Sequence, residues 1–389
     1  MPPDGDGDAA FAGAARALVE RSQVEAGDHL LLVVPDRTRP LALARVLDAT
    51  GTALADVGIA AREVTVAIAS GSHAVAPGDA TPERLGAWAA GARLLAHRAE
   101  EATARAGVTP AGTEVFVHPA LVEADVVLAV GATAFHYFAG FGGGTKLLFP
   151  GLGARASIAQ NHRRSLGPWP PGGLAPGIEP GRLEGNPLAE DLADVAALLP
   201  AATHLTTWDA QPAGVAWRER AEFVALTGRY AEGRRVGAPR AYGAVIASAG
   251  GHPRDVDVVQ AHKALFHAAL YARDGAGIVL LADCEEGVGS KPLAGWLAFE
   301  DRAEREARAR ADYDLNAQTA ISLAAIAARC RVTWVGSGTP PTLDRLGITR
   351  VAAVHGDAVE AVRAAVDGAP GSAAVLPVAT AIVPRDPVA

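Results

Sequence analysis

Short apolar runs recur along the chain, and stretches with apolar residues at helical spacing follow several of them. In the first half we interpret the runs at 29–35, 64–70 and 124–131 as buried strands. The segment after the first run, LALARVLDATGTALADVG, fits an amphipathic helix. A further helix is predicted at 186–199, where Asn186 suits the N-cap and Pro187 the first helical position. Alternation of this kind is typical of parallel sheets with crossover helices.

The same alternation restarts after a polar stretch at 231–241, which is the best candidate for a linker. Beyond it we predict strands in YGAVIASAG, GIVLLAD, RVTWVGSG and RVAAVHG, and helices in VDVVQAHKALFHAALYA and DLNAQTAISLAAIAARC. A chain of 389 residues exceeds what one core usually serves. We therefore predict an α/β fold of two α/β domains, 1–235 and 236–389, with mainly parallel sheets and an interdomain cleft, the last residues being free to pack back on the first domain.

Charge and cysteine content narrow the range of partners. The net charge is −8 without a basic stripe, which argues against nucleic acid. The two cysteines, Cys284 and Cys330, are too few for a disulfide framework and fit a reducing cytoplasm. No apolar run reaches the roughly 18 residues of a membrane span, and the N-terminus lacks the basic region of a signal peptide. We expect a cytoplasmic protein that binds neither nucleic acid nor membrane.

The segment GATAFHYFAGFGGGTKLLFPGLGARASIAQNH, at 131–162, combines His136, Lys146 and His162 with many glycines. Glycines allow a backbone to approach a ligand closely and expose N–H groups to anions. A nucleotide triphosphate loop would need Gly before the lysine and Ser or Thr after it, but Thr145 and Leu147 stand there. A glycine-rich structural turn remains the alternative.

Two shorter motifs follow predicted strands. PDRTRP, at 35–40, places Asp36 and Arg39 at a strand end, where ligands gather in open α/β sheets. A buried Asp–Arg pair with a structural role is the alternative. ASGSHAV places His73 in a turn of small residues, where a satisfied surface histidine is the alternative.

Candidate residues also occur in the second half. In GGHPRDVDVVQAHKAL, Gln260, Lys263 and His267 share one helical face at i, i+3 and i+7. A solvated lysine is the alternative there. CEEGVGS follows a strand and offers Glu286 beside two glycines.

Four of these motifs together resemble the nickel-dependent lactate racemase family. They are DRTRP, GSH, the block HYFAGFGGGTKLLFPG with NH at 161–162, and GGHPRDVDVVQAHKAL, in the order and with the separations of that family. Each motif alone is weak evidence. The four in register imply a racemase or epimerase of a 2-hydroxyacid.

The resemblance implies a nickel-pincer nucleotide, a pyridinium-3,5-bisthiocarboxylic acid mononucleotide that carries nickel. It implies covalent attachment at Lys146 and nickel ligation by His162, so 1–235 would be the cofactor-binding domain. The further residues expected to contact the cofactor are Thr38, Gly142, Gly143, Gly144 and Thr145. Cofactor-synthesis proteins would be transient partners, and protein from a host without them is expected to lack the cofactor.

The resemblance also implies catalytic roles. His73 and His136 would be general acid and base on opposite faces of the substrate, Asp36 and Arg39 would organise the site, and Arg39, Lys263 and Gln260 would bind substrate. The Cα proton of a 2-hydroxyacid is too weakly acidic for an unaided side chain, so an electrophilic cofactor carbon would take hydride while a histidine removes the hydroxyl proton. Epimerisation of a sugar acid, another hydride transfer, and a non-catalytic cofactor-binding homologue are the alternatives.

The chain departs from the family pattern in places. Ala74 follows His73 where the family has arginine, and Asp257 stands where asparagine is common. The loop GPWPPGG is individual to this chain. These differences favour a substrate other than lactate.

Overall fold

The computed structural model describes residues 4–73, 75–168, 170–208, 215–352, 355–369 and 371–386. The chain divides into two compact units. The first unit comprises Met1–Ala134, Gly142–Asn161 and Glu190–Tyr230, and the second comprises Phe135–Phe141, His162–Ala189 and Ala231–Ala389. Two segments of the first half therefore belong to the second unit. The boundary near residue 235 and the cleft stay predictions.

The elements of the described ranges are numbered along the chain. The strands are β1 (Leu30–Pro35), β2 (Val64–Ala69), β3 (Arg93–Ala96), β4 (Ala104–Val108), β5 (Glu114–Val117), β6 (Val126–Ala132), β7 (Phe135–His136), β8 (Gly140–Phe141), β9 (Ala202–Thr207), β10 (Val215–Trp217), β11 (Tyr242–Ser248), β12 (Ala272–Leu281), β13 (Arg331–Val335), β14 (Thr349–Val351) and β15 (Ala373–Leu376). The α-helices are α1 (Asp4–Ser22), α2 (Leu43–Asp56), α3 (Pro82–Ala89), α4 (Pro119–Glu123), α5 (Arg155–Arg163), α6 (Pro187–Leu198), α7 (Arg220–Ala231), α8 (Val258–Tyr271), α9 (Lys291–Leu297), α10 (Arg302–Ala311), α11 (Ala317–Arg329) and α12 (His355–Asp367). Short 3-10 helices lie at Ala61–Glu63, Pro77–Ala80, Gly144–Leu147, Pro341–Leu346 and Ala379–Ala381.

The described part of the first unit is built on a six-stranded sheet with the order β10-β9-β6-β1-β2-β3. All neighbours are parallel except β9 and β10. Every residue of β1 is buried, because this central strand is covered on both faces, which explains its unbroken apolar run. Parallel strands end at one edge of a sheet, so the loops after β1, β2 and β6 are neighbours.

The described part of the second unit contains a five-stranded parallel sheet with the order β14-β13-β12-β11-β15. The α8 helix packs on β11 and β12, and α11 packs on α8. Trp334 is fully buried in this core, and its indole N–H donates to the carbonyl of Ala282 at 3.0 Å. The predicted α/β class with mainly parallel sheets is thus confirmed.

Several predicted boundaries agree closely with the structure. Asn186 caps α6, since its side-chain oxygen accepts hydrogen bonds from the N–H groups of Leu188 at 3.2 Å and Ala189 at 3.1 Å. The strand predicted in RVAAVHG is confirmed only as far as Val351, where β14 ends, and α12 begins at His355. The described ranges contain no helix that is long and apolar enough to cross a membrane.

Candidate functional site

Three of the predicted loops meet at one edge of the first sheet. Two of them follow β1 (residues 36–40) and β2 (residues 70–73), and the third (residues 142–151) follows the β7–β8 hairpin that comes after β6. In the sheet, β1 lies between β2 and β6. The second and third loops are joined directly, because the N–H of Gly71 donates to the carbonyl of Gly151 at 2.9 Å. The carboxyl edge of this sheet therefore gathers Asp36, His73 and the segment that contains Lys146.

Asp36 is a buried carboxylate in this group. One of its oxygens accepts hydrogen bonds from the N–H of Thr38, at 3.0 Å, and from the hydroxyl of the same residue. The other oxygen lies 3.8 Å from Nδ1 of His73. Burial raises the pKa of Asp36, but the contact with His73, the charge of Arg39 and the bond from Thr38 outweigh it and hold the pKa well below its usual range. Asp36 is therefore an ionised carboxylate that faces an imidazole.

His73 and Arg39 present their ends to solvent, whereas Asp36 does not. The side chain of His73 is 39% exposed and that of Asp36 is 9% exposed. The separation of 3.8 Å between Nδ1 of His73 and the Asp36 carboxylate is that of an ion pair and exceeds hydrogen-bond distance. The structure thus brings Asp36 together with His73 and Arg39, and the carboxylate is the buried member of the group.

Lys146 is half-buried in the 3-10 helix Gly144–Leu147. Gly143 and Gly144, just before it, have φ of +79° and +60°. A Cβ would lie 2.5 Å from the Ala132 carbonyl oxygen at Gly143, and 2.9 Å from the Phe223 ring at Gly144. At Gly143 and Gly144 the backbone conformation and the close packing therefore require glycine, as expected of the structural turn that the sequence analysis gives as the alternative. At Gly142 the nearest atom to such a Cβ is 3.8 Å away, so packing does not demand a glycine there.

His136 lies in the β7–β8 hairpin of the second unit. Its ring stacks on Tyr137, with centroids 5.5 Å apart, and meets Phe138 edge-on at 4.6 Å. Phe138 also meets the ring of His162 edge-on at 5.0 Å. One phenyl ring therefore joins the predicted acid/base histidine to the predicted nickel ligand.

The end of α5, which carries His162, is fixed by a buried carboxylate of the first unit. The amide of Asn161 donates to Asp191 at 2.7 Å. Asp191 also accepts hydrogen bonds from the hydroxyls of Thr109, at 2.6 Å, and Thr113, at 2.8 Å. Charge-assisted bonds of this kind are about twice as strong as neutral ones, so Asn161 is held firmly just before His162.

The α8 helix brings Gln260 and Lys263 together, as predicted. Nζ of Lys263 donates to the side-chain oxygen of Gln260 at 2.5 Å. Asp257 caps this helix by accepting the N–H of Gln260 at 2.7 Å. His267 shares the helical face but is buried, and its Nδ1 lies 2.9 Å from the Ile382 carbonyl oxygen. Because burial lowers the pKa of His267 to about 4, this histidine is a neutral structural residue.

Other contacts, around the hairpin of His136 in the second unit, could not be predicted from the sequence. Tyr137 packs against the buried ring of His262 on α8, with centroids 4.8 Å apart, and its hydroxyl lies 3.0 Å from that of Thr319 on α11. These contacts fix the hairpin that carries His136. Glu286 is exposed, and its N–H donates to the Val256 carbonyl at 2.8 Å.

Comparison with known proteins gives the family of the N-terminal part. Residues 15–169 match the sequence model of the lactate racemase N-terminal domain. Over these residues the chain is similar to that domain. The matched region contains Asp36, Arg39, His73, Lys146 and His162, whereas Gln260 and Lys263 lie beyond it.

The curated relatives agree with this assignment. The lactate racemase of Thermoanaerobacterium thermosaccharolyticum is 29% identical over 194 residues, which are 49% of this chain and 44% of that protein. The lactate racemase of Lactiplantibacillus plantarum is 24% identical over 205 residues, 50% of this chain and 45% of that protein. In sequence, the chain thus aligns with less than half the length of each relative.

The fold extends the likeness to nearly the whole chain. The lactate racemase apoprotein of T. thermosaccharolyticum superposes with a TM-score of 0.81 at 21% identity, covering 98% of this chain and 93% of that chain. A Thermotoga maritima protein superposes with a TM-score of 0.66 at 16% identity, covering 88% and 91%. Ala74, the departure beside His73, lies outside the described residues.

Proposed function

We propose that this lactate racemase-like chain is an isomerase that racemises or epimerises a 2-hydroxyacid. The observation that carries the proposal is the group of ionised Asp36, His73 and Arg39 at the sheet edge that also holds the Lys146 segment. A base backed by a carboxylate, next to a guanidinium, suits a substrate with a hydroxyl to deprotonate and a carboxylate to anchor.

In this proposal His73 takes the proton of the substrate hydroxyl at Nε2, and Asp36 stabilises the imidazolium that forms. Arg39 binds the substrate carboxylate, as does Lys263, whose side chain Gln260 holds. His136 serves the opposite face, which lets the enzyme act on either enantiomer. Since Phe138 contacts both His136 and His162, these two imidazoles keep a fixed spacing.

The residues also fit the nickel-pincer nucleotide. In this proposal nickel is bound through His162 and takes its other ligands from the cofactor. Imidazole and sulfur suit nickel in a square-planar geometry. Lys146 would hold the cofactor covalently, with Thr38, Gly142, Gly143, Gly144 and Thr145 as further contacts. The chemistry that this group supplies when bound is reversible acceptance of hydride at a ring carbon.

Co-expression with cofactor-synthesis proteins tests the proposal. Intact-mass spectrometry should show an adduct on the wild type that is absent from Lys146→Ala. The loaded wild type should then invert members of a panel of 2-hydroxyacids that includes lactate and sugar acids. An adduct without turnover of any acid would favour the non-catalytic cofactor-binding alternative, and absence of any adduct would overturn the cofactor assignment.

A further inference from the structure

A buried carboxylate outside the predicted site joins two of its loops. Asp79 is 1% exposed. One of its oxygens accepts the N–H of Arg37, the residue after Asp36, at 2.5 Å. The other accepts the N–H of Ala76, in the loop of His73, at 2.7 Å. Asp79 thus holds the backbones of both loops.

Arg84, in the first turn of α3, completes the connection. Its guanidinium donates to the carbonyl of Asp79 at 3.1 Å and to that of Pro35 at 2.6 Å. Pro35 is the last residue of β1 and directly precedes Asp36. Burial lowers the pKa of Arg84, and the charges of Asp79 and Asp36 oppose that fall. A guanidinium holds its donors on separate nitrogens in a fixed plane, which suits two carbonyls that lie apart, whereas an ammonium carries its three donors on one nitrogen.

We propose that Asp79 and Arg84 form a brace that sets the distance between Asp36 and His73, and that both are positioning residues for this pair. Each loop has hydrogen bonds of its own, but those within the Asp36 loop do not reach the loop of His73. The brace comprises four partly buried hydrogen bonds, each between the side chain of Asp79 or Arg84 and a backbone group. Removing the carboxylate would leave two loop N–H groups without their acceptor, and the loops could then separate.

The brace has two expected effects. The first, on the distance between Asp36 and His73, does not depend on the proposed reaction, whereas the second, on turnover, rests on the proposed function. The first is measured on the protein without cofactor. Carbon-13 NMR follows the carboxyl of Asp36 through a pH titration, with Asp36→Asn identifying the signal. The contact with His73 lowers the pKa of Asp36, so a looser brace should raise that pKa towards its ordinary value.

Two variants are compared, so that the brace can still be tested if one of them folds poorly. Asp79→Asn replaces one acceptor oxygen by a donor, and Arg84→Lys keeps the charge but loses the two separate nitrogens that donate to the two carbonyls. Both should raise the pKa of Asp36. The matched control is Glu83→Gln, an exposed carboxylate next to Arg84, which should leave it unchanged. An unchanged Asp36 titration in a folded Asp79→Asn or Arg84→Lys protein would overturn the brace.

The second measurement uses enzyme loaded with cofactor. A positioning role predicts that kcat falls about 10-fold or more in Arg84→Lys while KM changes less than about twofold, because binding groups stay and alignment is lost. A change in KM alone would overturn the positioning role. If no acid is turned over by the wild type, the proposed function fails, and the NMR titration still decides whether the brace exists.

Discussion

At the scale of single residues, the site depends on the pairing of Asp36 with His73. The two side chains differ in exposure, because the carboxylate is enclosed by its own loop and the imidazole is not. This arrangement resembles a base with its orienting partner, in which the buried group fixes the tautomer and the exposed group meets the substrate. The roles can be separated by mutation.

Replacing His73 should remove proton transfer on one face of the substrate. We expect His73→Ala to lower the rate of inversion about 10²- to 10⁴-fold in both directions, since inversion needs both faces. The measurement is racemisation by cofactor-loaded protein, starting from each enantiomer. The control is His29→Ala, an exposed histidine just before β1. Nearly full activity of His73→Ala in an active preparation would show that His73 only completes a turn.

Asp36 should make stability depend on pH. Its folded pKa lies below the unfolded value of 3.8, so its ionised form stabilises the fold above about pH 4, and this contribution is lost as pH falls towards the folded pKa. We expect the wild type to exceed Asp36→Asn in unfolding free energy at pH 7 and pH 5, with the difference shrinking at pH 3. Urea denaturation at the three values measures it. A difference that stays constant with pH would contradict the ionised, paired state.

At the scale of elements, Asn186 connects a helix end to the segment of the candidate histidines. Its oxygen caps α6, and its amide donates to the carbonyl of Phe138 at 3.0 Å and to that of Arg182 at 3.2 Å. One side chain thus completes a helix and holds the backbone beside His136.

Two substitutions distinguish these functions of Asn186. Loss of an N-cap costs about 0.5–2 kcal/mol, so Asn186→Ala, which also leaves buried carbonyls unpaired, should lower the free energy of unfolding by about 2 kcal/mol or more. Asn186→Asp keeps the cap acceptor but loses both donations, and we expect an intermediate loss at neutral pH. Urea denaturation checks both values. Equal effects of the two substitutions would mean that the cap contributes nothing.

At the scale of the whole molecule, the sequence predicted more of the fold than of the contacts. The loops of Asp36, His73 and Lys146 could be predicted to be neighbours, because parallel strands end at one edge. Asp79 and Arg84 could not, since their partners are backbone groups 42 and 49 residues away that leave no side-chain pattern. Helical spacing placed His267 beside Lys263, but only the contact with Ile382, 115 residues on, shows that it is structural.

A prediction at the scale of the whole molecule concerns how attachment of the cofactor and ligation of nickel are divided between the two units. Lys146 belongs to the first unit and His162 to the second, so attachment and metal ligation would depend on different parts of the molecule. We expect His162→Ala, after cofactor loading, to keep the adduct on Lys146 but to lose nickel, because the pincer then lacks its protein ligand. Lys146→Ala should lose both.

Intact-mass spectrometry reports the adduct, elemental analysis reports nickel per chain, and circular dichroism checks the fold. The control is His118→Ala, an imidazole of the first unit whose Nδ1 accepts the N–H of Ala120 at the start of α4. Full nickel content in a folded His162→Ala protein would show that another residue ligates the metal and would remove His162 from the site.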